Sequence, residues 1–266
     1  MYDNYNRHIN YLRISVTDRC NLRCTYCMPA EGVSLLHHSD ILTFEEIFEV
    51  SRVAIQLGIE KIRLTGGEPL VRKDIVQLVK MLSELHGLKD LSMTTNGILL
   101  ADMALPLKTA GLQRINISLD TLDAGKYRQI TRGGNLSDVL QGIEAAVKAG
   151  LNPVKLNCVV KSSAKEPDAQ NVLAYGRDHG LEVRFIHEMS LTEGSFTVVE
   201  GGEGGNCVNC NRLRLTANGK LMPCLFNELE FDVRTLGVKE AIRLAVAQKP
   251  ECGSFNLKGE FYNIGG

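Results

Sequence analysis

Residues Leu12–Pro29, "LRISVTDRCNLRCTYCMP", run from a short apolar segment straight into three cysteines, at 20, 24 and 27. Leu12–Val16 has the length and branched side chains of a buried strand. Thiols crowded into the loop after it put chemistry at the strand's carboxyl end, where α/β folds carry their sites. The rest of the first 190 residues repeats the plan. Candidate strands at Lys61–Thr65, Leu91–Thr95, Arg114–Leu119, Val154–Val160 and Glu182–His187 alternate with helical patterns. Thr43 and Glu46 form a capping box ahead of Ile47, Val50, Val53, Ala54 and Leu57, with Gly58 as the stop. Further helices are expected from Ser137 to Ala149, before Gly150, and from Pro167 to Gly180. Repeated βα units demand a parallel sheet with right-handed crossovers. Six units are too few to close an eight-stranded barrel. The expected fold is therefore α/β, an open, partial (βα)6 TIM-like barrel over residues 1–190.

After Met189 the character changes. "SLTEGSFTVVEGGEGGN" is Gly-rich and aperiodic, and reads as a loop or flexible linker. "CVNCNRLRLTANGKLMPCLF" has the pattern of a β-hairpin turning at Asn218–Gly219, and a last helix is expected from Val238 to Gln248. Residues 191–266 are accordingly expected to form a small C-terminal subdomain. The chain's 266 residues, 44% of them hydrophobic, suffice for a full core, and the net charge of −1 argues against a nucleic-acid or basic membrane-surface partner. Without an apolar run near 18 residues or a leader at "MYDNYNRHINYLR", a cytoplasmic enzyme is expected.

The eight cysteines fall as two triplets, Cys20/Cys24/Cys27 and Cys207/Cys210/Cys224, plus Cys158 and Cys252. In a reducing compartment, clustered thiols read as metal ligands rather than disulfides. Structural zinc wants four protein ligands, and each triplet is one short; for the second, Cys252 is the sole candidate fourth. A four-iron cluster on three cysteines keeps one iron open for chemistry. Cys158, inside "VKLNCVV", reads as a small core residue. His37, His38, His86 and His179 read as surface or helix-end residues.

Strands covered on both faces should be nearly all apolar, yet Arg13, Arg63, Lys155 and Arg184 interrupt four of them. Buried cations need partners. Carboxylates such as Glu68 or Glu182, or solvent at strand ends, would supply some. Arg212 and Arg214 share a face by the two-residue period of a strand. A cavity gathering this many cations suits a triphosphate, with arginine offering forked donors. No GxxxxGK[ST] loop is present, which sets the chain apart from ordinary nucleotide hydrolases. "RLTGGEPL" (63–70), read alone, could be only a strand-to-helix turn.

Taken together these motifs resemble a known family. "CNLRCTYC" and "RLTGGEPL" are similar to the signatures of the radical S-adenosylmethionine (SAM) enzymes. The longer stretch from Leu12, with "TTNG" (94–97), "INISLD" (115–120), the hairpin segment and the terminal Gly265–Gly266, resembles the GTP 3′,8-cyclases of molybdenum-cofactor synthesis over nearly the whole chain. The resemblance implies two [4Fe-4S] clusters, one on each triplet. SAM would chelate the open iron of the first, against Tyr26, Gly66, Gly67, Glu68, Ser118 and Met189. The glycines would let backbone approach the ligand, and Glu68 would accept from the SAM ammonium. GTP contacts carry over onto Arg13, Arg63, Thr94, Lys155, Arg212 and Arg214, with Arg184 added for its place among the strand cations. The open iron of the second cluster would bind guanine, and Gly265 and Gly266 would act in cyclisation. The implied activity is a lyase making 3′,8-cyclo-7,8-dihydro-GTP. Cyclic pyranopterin monophosphate synthase would act downstream, an electron donor such as flavodoxin or ferredoxin upstream, and a homodimer is allowed.

Two departures from the family stand out. Between Met189 and Cys207 only 17 residues remain, where the family usually has some forty to fifty more, and His187–Glu188 replaces a glutamate-aromatic order. Two alternatives stay open. One is a radical SAM enzyme with an auxiliary cluster acting on a peptide or another nucleotide. The other is a non-enzymatic zinc or redox module.

Overall fold

The structure is a computed structural model that describes residues 1–189 and 196–254. Seven strands run parallel: β1 (Tyr11–Ser15), β2 (Lys61–Thr65), β3 (Asp90–Thr95), β4 (Arg114–Ser118), β5 (Val154–Val160), β6 (Glu182–His187) and β7 (Arg212–Leu215). Two short antiparallel strands, β8 (Lys220–Met222) and β9 (Phe231–Asp232), follow β7. The order across the single sheet is β6-β5-β4-β3-β2-β1-β7-β8-β9, and its two end strands do not pair with each other. The barrel is open, as expected. Strand limits match the sequence reading at β2, β5 and β6, and the hairpin turns at Gly219, whose φ of 85° only glycine adopts without strain.

Six helices fill the crossovers: α1 (Phe44–Gln56), α2 (Ile75–Ser83), α3 (Leu100–Thr109), α4 (Ala124–Thr131), α5 (Leu136–Lys148) and α6 (Pro167–Asp178). Helix α1 begins at the anticipated capping box, with Thr43 Oγ1 accepting from Glu46 N and Glu46 Oε2 accepting from Thr43 N. Its Ile47, Val50 and Ala54 join Leu12, Ile14, Ile62 and Leu64 in one core. Each such aliphatic side chain contributes roughly 1.5–3 kcal/mol on burial. Cys158 is fully buried in that core, as a small apolar residue should be. The four histidines at 37, 38, 86 and 179 are exposed.

The region after residue 190 does not start a new sheet. Strand β7 pairs in parallel with β1, placing Tyr11 beside Arg212 and Arg13 beside Arg214. Leu213, Leu215, Leu221 and Phe231, with Ala241 and Ile242 of α8 (Val238–Ala247), extend the same core. Short α7 (Val233–Leu236) precedes α8. A small second cluster of Met222, Leu225 and Phe226 packs with Met189 and Phe196. No helix among the described residues is long and apolar enough to cross a membrane.

The strands are not apolar on both faces. One face carries Leu12, Ile14, Ile62, Leu64, Met93, Ile115, Ile117 and Leu156 into the core. Alternate residues on the other face are polar, and strand register aligns them in rows. One row reads Arg214, Arg13, Arg63, Ser92, Arg114; another reads Thr94, Asn116, Lys155, Glu182. Of these rows, Arg13, Arg63, Arg114, Thr94, Asn116 and Lys155 line one cavity, which relieves part of the burial cost of their polar groups.

Candidate active site

The GGE turn after β2 clasps the root of the cysteine loop. Gly67 N donates to Thr17 O and Glu68 N to Arg19 O, both at 2.8 Å. A Cβ on Gly66 would stand 2.7 Å from Thr17 O, and one on Gly67 only 2.3 Å from Arg19 O. The glycines are therefore required by backbone pressed on backbone, a different reason from the ligand approach first expected. Glu68 is also committed to the fold. Its Oε1 accepts from Leu70 N and Thr95 Oγ1, its Oε2 from Asn96 N, and it ion-pairs with none of the strand cations. Burial pushes its carboxyl up to about 7, against the pull of those donors. Oε2 keeps capacity for one further donor. The expected carboxylate partner for a strand cation is found instead at Glu182, which pairs with Lys155.

Helix α4 holds the cysteine loop from its far side. Thr25 N donates to Ile130 O, Arg23 N to Thr131 O, and Arg132 reaches the carbonyls of Arg23 and Met28. Tyr26 Oη donates to Asp120 Oδ2 at 2.8 Å, and Val159 N donates to Asp120 Oδ1. Asn96 Nδ2 lies 3.9 Å from Cys20 Sγ and 2.7 Å from Asn21 Oδ1. Burial raises all three thiols, Cys20 to about 11 and Cys24 to about 12. They become thiolates only with a cation beside them, which is what an iron site supplies.

Cys20, Cys24 and Cys27 line a cavity of about 670 Å³. Tyr26, Gly66, Gly67, Glu68, Ser118 and Met189 line it too, as do Arg13, Arg63, Thr94, Lys155, Arg184 and Arg212. Arg214 sits one strand over from Arg13, buried and outside this lining. None of Cys207, Cys210 and Cys224 lines it, although Asn211 and Leu225, their neighbours in sequence, do. Gly265 and Gly266 fall outside the described residues. The cavity is electropositive. Burial, with Arg214, Arg63 and Arg212 nearby, holds the Arg13 guanidinium well below its ordinary range, and Arg63 and Arg214 are lowered for the same reasons. The Tyr11 ring lies between Arg63 and Arg212. Several buried polar atoms on this wall have no partner among the described residues: Tyr11 Oη, Thr94 Oγ1, both amide atoms of Asn116, and Arg184 Nε. Buried polar groups are nearly always satisfied, so these atoms are open to water or to a polar ligand.

Sequence reasoning had not singled out Tyr11, Asn116 or Asp120. The two-residue alternation of "YLRIS" and "RINIS" was the available signal for the first two. The GGEGG segment is also more than a linker. Gly201, Gly202, Glu203 and Gly204 line the cavity, Glu200 bridges to Phe185, and Val199 N donates to Gly204 O.

The second triplet sits at the mouth of the β7–β8 hairpin. Burial pushes Cys224 up; at Cys210 burial is outweighed by Lys249 and the N–H of Arg212, and the thiol lies below its usual range. As they stand, no three His, Cys, Asp or Glu side chains among the described residues are close enough to enclose a single metal ion.

Residues 14–173 match the family model described as Radical SAM superfamily, and residues 160–253 match Molybdenum Cofactor Synthesis C. The chain belongs to the radical SAM superfamily. It is 41% identical, over 94% of its length, to a protein of Alkaliphilus oremlandii named GTP 3′,8-cyclase, 93% of which is covered. A protein of that name from Moorella thermoacetica is 46% identical over 88% of this chain and 86% of its own. Within the superfamily the chain therefore belongs to the GTP 3′,8-cyclase family. Among solved structures, Streptococcus suis SuiB bound to S-adenosylmethionine matches with a TM-score of 0.63 at 15% identity, over 92% of this chain and 65% of that one. Native anSMEcpe with bound AdoMet gives 0.64 at 16%, over 91% and 81%. Both share the fold.

Proposed function

We propose that this chain is a radical SAM enzyme that converts GTP to 3′,8-cyclo-7,8-dihydro-GTP, the entry step to the molybdenum cofactor. The observation that carries the substrate is the electropositive cavity wall, with buried donors that have no partner among the described residues, lining one cavity with three thiols. The relatives' shared name supports the same reading. Cys20, Cys24 and Cys27 would hold a [4Fe-4S] cluster, which would supply the electron for reductive cleavage of SAM and so the hydrogen-abstracting chemistry that this conversion of GTP requires.

The chain's own residues position and exclude. Ser118 and Met189, and Glu68 through the remaining acceptor capacity of Oε2, would contact SAM; all three line the cavity that Cys20, Cys24 and Cys27 also line. Arg13, Arg63, Lys155, Arg184 and Arg212 would hold the triphosphate, arginine by forked pairs. Arg214 would act from behind, through the field it adds at Arg13. Thr94 and Asn116 would take ribose or phosphate oxygens through the groups now without partners. Cys207, Cys210 and Cys224 would hold a second cluster, and Gly265–Gly266 would act in cyclisation. A flavodoxin or ferredoxin would supply electrons, and a cyclic pyranopterin monophosphate synthase would consume the product.

The test is anaerobic reconstitution followed by incubation with SAM, reductant and GTP. Formation of 5′-deoxyadenosine together with a cyclised GTP is expected. 5′-Deoxyadenosine without any cyclised product would overturn the substrate assignment and turn attention to a peptide or another nucleotide.

A further inference from the structure

Asn116 is 1% exposed and lines the cavity, yet neither Nδ2 nor Oδ1 has a partner among the described residues. Turning the amide over changes nothing, because both of its ends are free. Beside it in strand register, Thr94 of β3 also carries a buried Oγ1 without a partner. Lys155, its neighbour on β5, is already paired with Glu182. Along β4 the residues that line the cavity are Arg114, Asn116 and Ser118, at steps of roughly 6.6 Å by the period of a strand. Arg114 stands in the row of Arg13, Arg63 and Ser92, and its Nε is taken by Asp90 Oδ1 at 2.8 Å. Ser118 stands at the carboxyl end of the strand. That is the end from which parallel β1 leads into the cysteine loop. Asn116 therefore lies between the arginine row and the end of the cavity that holds the thiols.

The free groups select their ligand by chemistry. A carboxamide offers an acceptor and two N–H donors, whereas a phosphate offers acceptors alone. Against a phosphate, Oδ1 would face oxygens that bear negative charge and would stay unsatisfied. Two hydroxyls on adjacent carbons present a donor and an acceptor side by side, as the amide does. The ribose is the part of a nucleoside triphosphate that carries such a diol. It is also the part that has to lie between the phosphates, drawn to the arginines, and the thiol end, since the hydrogen removed is on C3′. We propose that Asn116 grips the ribose diol of GTP, with Oδ1 accepting from one hydroxyl and Nδ2 donating to the other, and thereby selects ribonucleotides. Thr94 Oγ1 adds a bond to the same sugar. This role rests on GTP as the substrate, and it narrows the contact of Asn116 from any ligand oxygen to the two hydroxyls. Removing either hydroxyl leaves half of a buried amide unpaired, which costs about tenfold to a hundredfold in affinity.

Equilibrium dialysis of the anaerobically reconstituted full chain, with SAM present and reductant withheld, measures binding without turnover. Wild type is expected to bind GTP about tenfold to a hundredfold more tightly than 2′-deoxy-GTP or 3′-deoxy-GTP. Asn116→Ala should weaken GTP by the same factor, leave both deoxynucleotides nearly unchanged and so erase the discrimination. Its preference for GTP over GMP should equal that of wild type, because the phosphate contacts are untouched. Its preference for GTP over inosine triphosphate, which lacks the guanine 2-amino group, should likewise be unchanged. Thermal unfolding without nucleotide should show no loss in Asn116→Ala, since the amide bonds nothing among the described residues. Asn116→Leu, close to asparagine in size, serves where alanine destabilises. A wild type that binds GTP and both deoxynucleotides equally would overturn the role of Asn116 and leave GTP binding standing, with water as the partner of the amide. A GTP-to-GMP preference that collapses in Asn116→Ala would reassign the residue to phosphate, and a lost preference over inosine triphosphate would reassign it to the base. Deoxynucleotides weakened as much as GTP by the substitution would mark a general structural effect and also overturn it. Failure of wild type to bind GTP at all would sink the substrate reading itself, and this role with it.

Discussion

Replacing Gly67 by alanine separates the structural reason for the GGE turn from a ligand-contact reason. The added Cβ would lie 2.3 Å from Arg19 O, 2.6 Å from its carbonyl carbon and 3.0 Å from Asp18 O. All three are backbone atoms, so no side chain can swing aside. Relief requires the turn and the 17–19 segment to separate by about an ångström. That breaks the 2.8 Å bonds from Gly67 N to Thr17 O and from Glu68 N to Arg19 O. Two hydrogen bonds at ~1 kcal/mol each, with an overpacking cost of roughly 1–3 kcal/mol, sum to about 3–5 kcal/mol. A chain of this size loses about 2 °C of Tm per kcal/mol, so the expected fall is roughly 6–10 °C. Gly180→Ala is the control. Gly180 has a φ of 67° and no atom near its missing Cβ, so alanine there costs only the left-handed conformation, about 1–2 kcal/mol. Calorimetry of the metal-free chains gives both numbers, and iron retention on Cys20, Cys24 and Cys27 should fall in Gly67→Ala alone. A Gly67→Ala chain that melts no lower than Gly180→Ala would refute the backbone-packing account.

Arg184→Ala should weaken GTP binding by about tenfold to a hundredfold, the worth of one charge-assisted contact of roughly 1.5–3 kcal/mol. Equilibrium dialysis reads the affinity, and Tm without ligand should not drop, because Arg184 Nε satisfies nothing among the described residues. Glu68→Gln tests the buried carboxyl through pH. Its pKa of about 7 in the fold exceeds that of a free glutamate, ~4.3, so the unfolded chain ionises first as pH rises. Stability should fall between about pH 4 and pH 7 and then level off. The glutamine chain lacks that slope and should gain on the wild type by up to about 3 kcal/mol between pH 5 and 8, measured by denaturant unfolding; a constant difference would contradict the assignment. Tyr26→Phe leaves buried Asp120 Oδ2 without its donor and should lower Tm by about 2–5 °C in calorimetry.

The backbone plan was readable because each βα unit announces itself locally. Lys61–Thr65 and Val154–Val160 are branched runs with turn residues at their ends, and the Thr43–Glu46 box marks a helix start in four residues. The motif cysteines and the GGE turn were readable because their spacing is short. What could not be read is what register and long-range closure create. Arg13, Arg63 and Arg214 become one row only when β7, after a long excursion, adds to the β1 side of the sheet. The same register explains why polar residues on these strands carry no penalty, since the alternation places them on the cavity face while Leu12, Leu64 and Ile115 go to the core. An expectation of strands buried on both faces treats each cation as an exception. The paired strands make them the rule for one face. Cys252 shows both sides of this. The sequence already offered it as the one cysteine that could join the second triplet, but its place with Sγ 3.1 Å from Cys207 Sγ is set by contacts such as that of Arg7, from the other end of the chain, with Cys207 O and Glu251 O. Composition can nominate a cysteine, but only long-range closure decides which thiol it stands beside.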